Sequence, residues 1–121
     1  MVLAIHDEQL AEHGGASGVR DEGLLDSALA RPRNVLEYIH DADIGRIAAA
    51  YALGLARNHP FVDGNKRAAL VSAYTVLALN DLELEAPEPE AVSRILGLSD
   101  GSLSEAELES WIRGHLVPWV E

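Results

Sequence analysis

Nine consecutive residues concentrate the reactive side chains of this chain: His59-Pro60-Phe61-Val62-Asp63-Gly64-Asn65-Lys66-Arg67. They offer one imidazole, one carboxylate, a Gly-Asn turn and two adjacent cations, set between two alanine-rich stretches. Gly64-Asn65 at the start of a helix leaves backbone N–H groups without intrahelical partners. These point outward with the positive end of the helix dipole, an arrangement that binds anions. Gly64 permits positive φ and lets a phosphate approach the main chain. Asn65 either caps the helix or donates its amide to an oxygen, and Lys66 and Arg67 add full charge at the same place. Asp63 suits Mg²⁺, which takes one or two carboxylates plus phosphate oxygens and water. His59, at the end of the preceding stretch, is placed to accept a proton from an attacking hydroxyl. Phe61 is the expected buried anchor of the loop. The same composition also suits an ordinary helix-loop-helix turn, so the residue types alone leave both a phosphate-handling site and a plain turn open.

The elements that hold this loop are read as helices. Residues 2–13 form a first helix that Gly14-Gly15 stops. Asp21 caps a second, which runs through Ala30 and ends at Arg31-Pro32. Residues 33–42 lack periodicity and read as a mobile connection. A third helix spans Asp43 to Asn58, with Ile44, Ile47, Ala48, Tyr51, Ala52 and Leu55 on a broad apolar face. A fourth runs from about Asn65 to Leu79 and stops at Asn80-Asp81. It carries no charge over 68–80, which predicts a helix buried on all sides at the centre of the bundle. Leu82 to Glu85 alternates and reads as a short extended piece. Pro87 and Pro89 open a fifth helix over roughly 88–97. Ser104-Glu105-Ala106-Glu107 is a capping box for a sixth, ending near Leu116. The fold class is therefore all-α: a single domain over residues 1–121, a compact bundle of about five to seven helices around a central buried helix.

Composition agrees. A chain of 121 residues suits one core, and many Ala and Leu with few aromatics favour helix over sheet. No apolar run is long enough for a membrane span, and acid at Asp7 and Glu8 comes too early for a secretory signal. The absence of cysteine excludes disulfides and thiolate metal sites, and is compatible with a reducing cytoplasm. The net charge of −11 argues against direct binding to nucleic acid. The charge is uneven: residues 57–80 carry Arg57, Lys66 and Arg67 against Asp63 alone. A locally positive loop in an acidic protein suits a small polyphosphate. Among the remaining histidines, His6 and His13 lie seven apart near Glu12 but lack a clear third metal ligand. His40 and His115 read as surface residues, and Trp111 and Trp119 as packing residues.

The segment His59 to Arg67 resembles the signature of the Fic/Doc family, His-x-Phe-x-(Asp/Glu)-Gly-Asn-(Gly/Lys)-Arg. The chain more closely resembles the death-on-curing (Doc) branch, toxins of toxin–antitoxin modules. The likeness extends through Ile5-His6-Asp7, Gly14-Gly15, Gly18 to Leu25, Ala28 to Pro32 and Leu55 to Arg67. It implies that His59 is the catalytic base and Lys66 a second catalytic residue, Asp63 the Mg²⁺ ligand, and Gly64, Asn65 and Lys66 the anion-holding turn. It places Arg57 at the nucleotide phosphates and makes Arg67 the closing arginine of the motif.

Two departures from the adenylylating Fic pattern bear on the reaction. Lys66 stands where adenylylators usually have glycine, and Leu70 stands where they have a second arginine. Doc proteins share both features and are thought to seat the nucleotide in reverse, presenting its γ-phosphate. The resemblance thus implies a protein kinase-like phosphotransferase that uses ATP and Mg²⁺. It modifies a protein hydroxyl, a threonine of elongation factor Tu, and so blocks translation. The alternatives are a Fic-type adenylyl- or nucleotidyltransferase and a non-catalytic nucleotide- or protein-binding module. No run matches the family's inhibitory helix, (Ser/Thr)-x-x-x-Glu-(Gly/Asn). Inhibition is therefore expected in trans, from a prevent-host-death-type antitoxin whose disordered tail folds into a groove on the toxin. That partner, not this chain, would contact DNA. The expected location is the cytoplasm.

Overall fold

The computed structural model describes residues 1–38 and 43–119. Among these, six helices pack into one bundle with a two-stranded scrap of sheet. Helix α1 (Val2–His13) buries Val2, Ile5 and His6 and ends at Gly14, whose N–H bonds the Leu10 carbonyl. Helix α2 spans Glu22–Tyr38, and the Asp21 carboxylate accepts the Leu24 N–H at 3.0 Å, as a cap should.

Arg31-Pro32 predicts an end to this helix, yet Pro32 lies inside it and is fully buried. An interior proline removes one N–H and costs about 3 kcal/mol. Tertiary packing offsets that cost. Helix α3 (Ile44–Asn58) lies against α2 so closely that a Cβ added at Gly54 would stand 2.7 Å from the Ala28 carbonyl oxygen. Ala28 is the residue whose i+4 donor Pro32 abolishes. Residues 33–38, read as a mobile connection, are therefore helical. The rest of that stretch, including His40, lies outside the described residues.

Helix α3 begins at Asp43, whose carboxylate accepts the Arg46 N–H at 2.9 Å. Gly45, Ala48, Ala49, Ala50, Ala52, Leu53, Gly54, Leu55 and Ala56 are all buried. Small residues on every side let α2, α5 and α6 approach it, together with α4 (Asn65–Leu79). So α3, not the fourth helix, is the central one. Absence of charge on α4 pointed to the wrong helix: Val71, Tyr74 and Thr75 are only half-buried and Leu79 is exposed. That side of α4 faces a groove.

Strand β1 (Leu82–Leu84) pairs antiparallel with β2 (Leu116–Pro118), Glu83 opposite Val117. The extended piece was legible in the sequence; its partner was not. Helix α5 (Glu88–Asp100) runs three residues past its expected end, to Gly101 in a left-handed conformation. Helix α6 (Glu105–Gly114) starts with both capping-box hydrogen bonds, Glu107 N–H to Ser104 Oγ and Ser104 N–H to Glu107 Oε1, each 3.1 Å. It stops at Gly114 rather than near Leu116. Arg113 ties it to the start of α3 by pairing with Asp43 at 2.7 Å.

Trp111 is half-buried and donates its indole N–H to Glu90. Trp119 is half exposed instead of packed inside. His115 is half-buried rather than a surface residue, with Nδ1 2.7 Å from the Trp111 carbonyl. None of the described helices is long and apolar enough to cross a membrane.

Candidate active site

The chain leaves α3 through His59, which takes a left-handed conformation (φ 49°, ψ 54°) uncommon for a residue with a side chain. Such a conformation persists only where its surroundings hold it. Here the Arg20 guanidinium supplies the hold. Its Nε donates to the His59 carbonyl at 2.8 Å and its Nη2 to the Asn58 carbonyl at 3.0 Å. These are end carbonyls of α3, where a cation is favoured. The same segment runs alongside the loop. Arg20 N–H bonds Pro60 O at 2.7 Å, Val62 N–H bonds Gly18 O at 3.1 Å, and Val19 bridges Phe61. Asn58 closes the far end by donating to Leu24 O at 3.0 Å.

Phe61 is the anchor the sequence suggested, 1% exposed. Asn65 fastens it. The amide oxygen accepts the Phe61 N–H at 2.9 Å and the amide nitrogen donates to the Phe61 carbonyl at 3.0 Å. The side chain does not cap the helix, whose N-cap is Gly64; it closes the loop. Gly64 caps α4 with φ 76° and no side-chain oxygen in place, so the opening turn of α4 presents its N–H groups outward.

An open cavity of about 380 Å³ is lined by His59, Val62, Asp63, Gly64, Asn65, Lys66 and Arg67. It thus gathers every sequence-predicted site residue except Phe61 and Arg57. Lys66 and Arg67 are exposed, and among the described residues neither is ion-paired. Asp63 accepts the Gly64 N–H through Oδ1 at 2.8 Å. Among the described residues no three His, Cys, Asp or Glu side chains cluster as a metal cage. One exposed carboxylate beside the two cations that open α4 instead fits Mg²⁺ held jointly with phosphate oxygens and water. Arg57 is not among the residues that line this cavity. It donates to Leu98 O at 3.0 Å and to Leu103 O at 3.5 Å, tying the end of α5 to the end of α3.

Three neighbours of the site were missed as such in the sequence: Arg20, His6 and Ser99. Ser99 Oγ stands 3.4 Å from His59 Nε2. His6 is buried, stacks on Phe61 and bonds the Asp63 carbonyl. The available signal was position: His6 follows Ile5 on the buried side of α1, an odd place for an imidazole. His13 sits apart from it, 3.6 Å from Glu12.

A second cavity of about 330 Å³ is a groove between α1, α4 and α5. Leu70, Val71, Val92, Ile95 and Leu96 give it an apolar floor and walls, and Lys66 and Arg67 close one end. The two cations therefore belong to both cavities.

The chain matches the Fic/DOC family over residues 1–77, a span that contains the whole loop. Over 112 residues it is 30% identical to "Protein kinase doc" of Escherichia phage P1, covering 93% of this chain and 88% of that protein. Over 75 residues it is 49% identical to "Toxin Doc" of Mycolicibacterium smegmatis, covering 60% of this chain and 57% of that protein. With the loop's geometry and these matches together, the chain belongs to the Fic/DOC family.

Proposed function

We propose that this protein is the toxin of a type II toxin–antitoxin pair and transfers the γ-phosphoryl group of ATP to a protein hydroxyl. The observation that carries this reading is the convergence of His59, Asp63 and the cationic opening of α4 in one open cavity. The names of the two relatives, a protein kinase and a toxin, support it.

Phosphoryl transfer asks a protein mainly for positioning and charge stabilisation. The N–H groups at the start of α4, Lys66 and Arg67 would bind the phosphates. Asp63 would hold Mg²⁺, which when bound neutralises charge on the phosphate oxygens. His59, on the rim, would take the proton from the target hydroxyl as its oxygen forms the bond to phosphorus. The bond from phosphorus to the bridging oxygen breaks, and ADP leaves. Arg57 would serve as an outer phosphate contact; its long bond to Leu103 leaves that end of the guanidinium exchangeable. The target proposed is a threonine of elongation factor Tu, so translation stops. The site of action is the cytoplasm.

The apolar groove between α1, α4 and α5 is the proposed seat of a prevent-host-death-type antitoxin. An amphipathic helix with an acidic residue at one end would bury its apolar face there and meet Lys66 and Arg67. Intact-mass spectrometry of elongation factor Tu after incubation with this protein and Mg-ATP tests the reaction. A gain of one phosphoryl group is expected. A gain of AMP would overturn the kinase assignment in favour of adenylyl transfer.

A further inference from the structure

We propose that His6 is a positioning residue that sets the direction of the Asp63 carboxylate by locking one peptide unit of the loop. The proposal rests on the reading of Asp63 as a metal ligand. His6 is 2% exposed on a helix whose other fully buried residues are Val2 and Ile5. Packing alone gives no reason for an imidazole there, since an apolar side chain would fill the space without a polar atom to satisfy.

Its ring stacking and its hydrogen bond both fall on the loop. The ring stacks on Phe61, centroids 3.8 Å apart and planes within 7°. Its Cδ2 and Nε2 lie 3.6 Å from where a Cβ on Gly64 would be. Its Nε2 is 2.7 Å from the Asp63 carbonyl oxygen. A carbonyl only accepts, so Nε2 must carry the proton.

The Asp63 carbonyl lies one residue outside the hydrogen-bond ladder of α4, which opens with Gly64 O accepting from Ala68 N. It is therefore satisfied from outside the helix, by His6. The peptide unit joining Asp63 to Gly64 is planar and trans, so fixing its C=O fixes the direction of its N–H. That N–H is the one that donates to Asp63 Oδ1 at 2.8 Å. Carbonyl, peptide plane and carboxylate form one chain of constraint that starts at His6. A Cβ added at Gly15 would stand 2.8 Å from Asp63 Oδ2, so a side chain there would crowd the carboxylate and push it from this position.

The experiment uses the whole protein, ¹⁵N-labelled, with Mn²⁺ alone as the probe. In the wild type, long-range ¹H–¹⁵N spectra in alkaline buffer should show His6 as the Nε2–H tautomer. Finding the Nδ1–H tautomer would overturn the proposal without any variant. Paramagnetic broadening of the Gly64 amide then reports metal at Asp63. His6→Phe keeps a buried stacked ring but no donor, and should need about 10-fold more Mn²⁺ for equal broadening, the scale on which outer-shell partners act. His6→Gln carries an N–H donor at similar reach and should recover part of the loss. A folded His6→Phe protein with wild-type Mn²⁺ response would overturn the proposal. Wild-type protein showing no broadening near Asp63 with Mn²⁺ alone, and none with Mn²⁺ and ATP together, would sink the ligand reading itself. In that case the hold on the loop is read from the metal-free Gly64 amide shift, which His6→Phe must move and His6→Gln must bring back. A Gly64 shift unmoved by His6→Phe overturns the positioning role as well.

Discussion

Asn65→Ala is the substitution whose effect the loop geometry defines most sharply. The amide makes two hydrogen bonds, 2.9 and 3.0 Å, to the N–H and C=O of one residue, Phe61. Truncation leaves both main-chain groups without these partners beside a ring that is 1% exposed. An abandoned, fully buried polar group costs about 1–3 kcal/mol. Both bonds are only part-buried, so the lower end applies, about 1 kcal/mol each. Alanine at the first position of α4 returns at most about 0.5 kcal/mol of helix propensity. The net loss is then about 1.5–2 kcal/mol, which in a chain of this length lowers Tm by roughly 5–10 °C. Thermal unfolding followed by circular dichroism measures it. Lys66→Ala is the control: an exposed residue that should move stability by less than about 0.5 kcal/mol. Both variants should lose transfer activity, Asn65→Ala by loosening the loop and Lys66→Ala by removing charge. A Tm for Asn65→Ala within a degree or so of wild type would refute the view that this amide closes the loop.

Further outcomes are expected elsewhere in the molecule. His59→Asn, which tolerates the left-handed conformation, should stay folded and lose about 10²–10⁴ in transfer rate; full activity would remove His59 as the base. The carboxyl of Asp43 sits below its ordinary value. Burial, the largest single influence, pulls it up, but the Arg113 guanidinium and the Arg46 and Gly45 N–H groups together outweigh burial. A depressed carboxyl contributes stability that is present above its unfolded-state value and lost as pH falls through the folded one. Asp43→Asn should therefore flatten the acid limb of a stability–pH curve, and an unchanged limb would argue against it. Lys66→Gly should cripple phosphoryl transfer, and Lys66→Gly with Leu70→Arg should gain AMP transfer, read by product mass. Leu70 borders the groove, so the arginine has an exit to solvent; phosphate as the sole product of the double variant would break the link between these two positions and the reaction.

The loop and its flanking helices were legible because their signals are local. Asp43 and Ser104 cap the helices they precede, Gly64 opens α4, and the reactive side chains are nearly contiguous. What escaped depends on distant partners. Pro32 reads as a helix end, and nothing near it in sequence says that α3 will press on the Ala28 carbonyl. The uncharged run of α4 resembles a core helix until one sees that one side faces a groove. Conversely α3, with Arg46 and Arg57 at its ends, is central because its small residues permit contact all round. Arg20 and His6 sit 39 and 57 residues from the loop atoms they bind. Their side chains were visible; their targets were not.

Lys66 and Arg67 border both the loop cavity and the apolar groove, and this double placement constrains how the protein can evolve. If the groove seats the antitoxin and the cavity seats phosphate, a mutation that removes either cation to escape the antidote also disarms the poison. Escape must then come from the apolar walls, at Val92 or Leu96, where α5 can change without touching the loop. A toxin and its antidote would drift apart along those hydrophobic positions, while the cationic end they share stays fixed and keeps open the route for cross-neutralisation between related pairs.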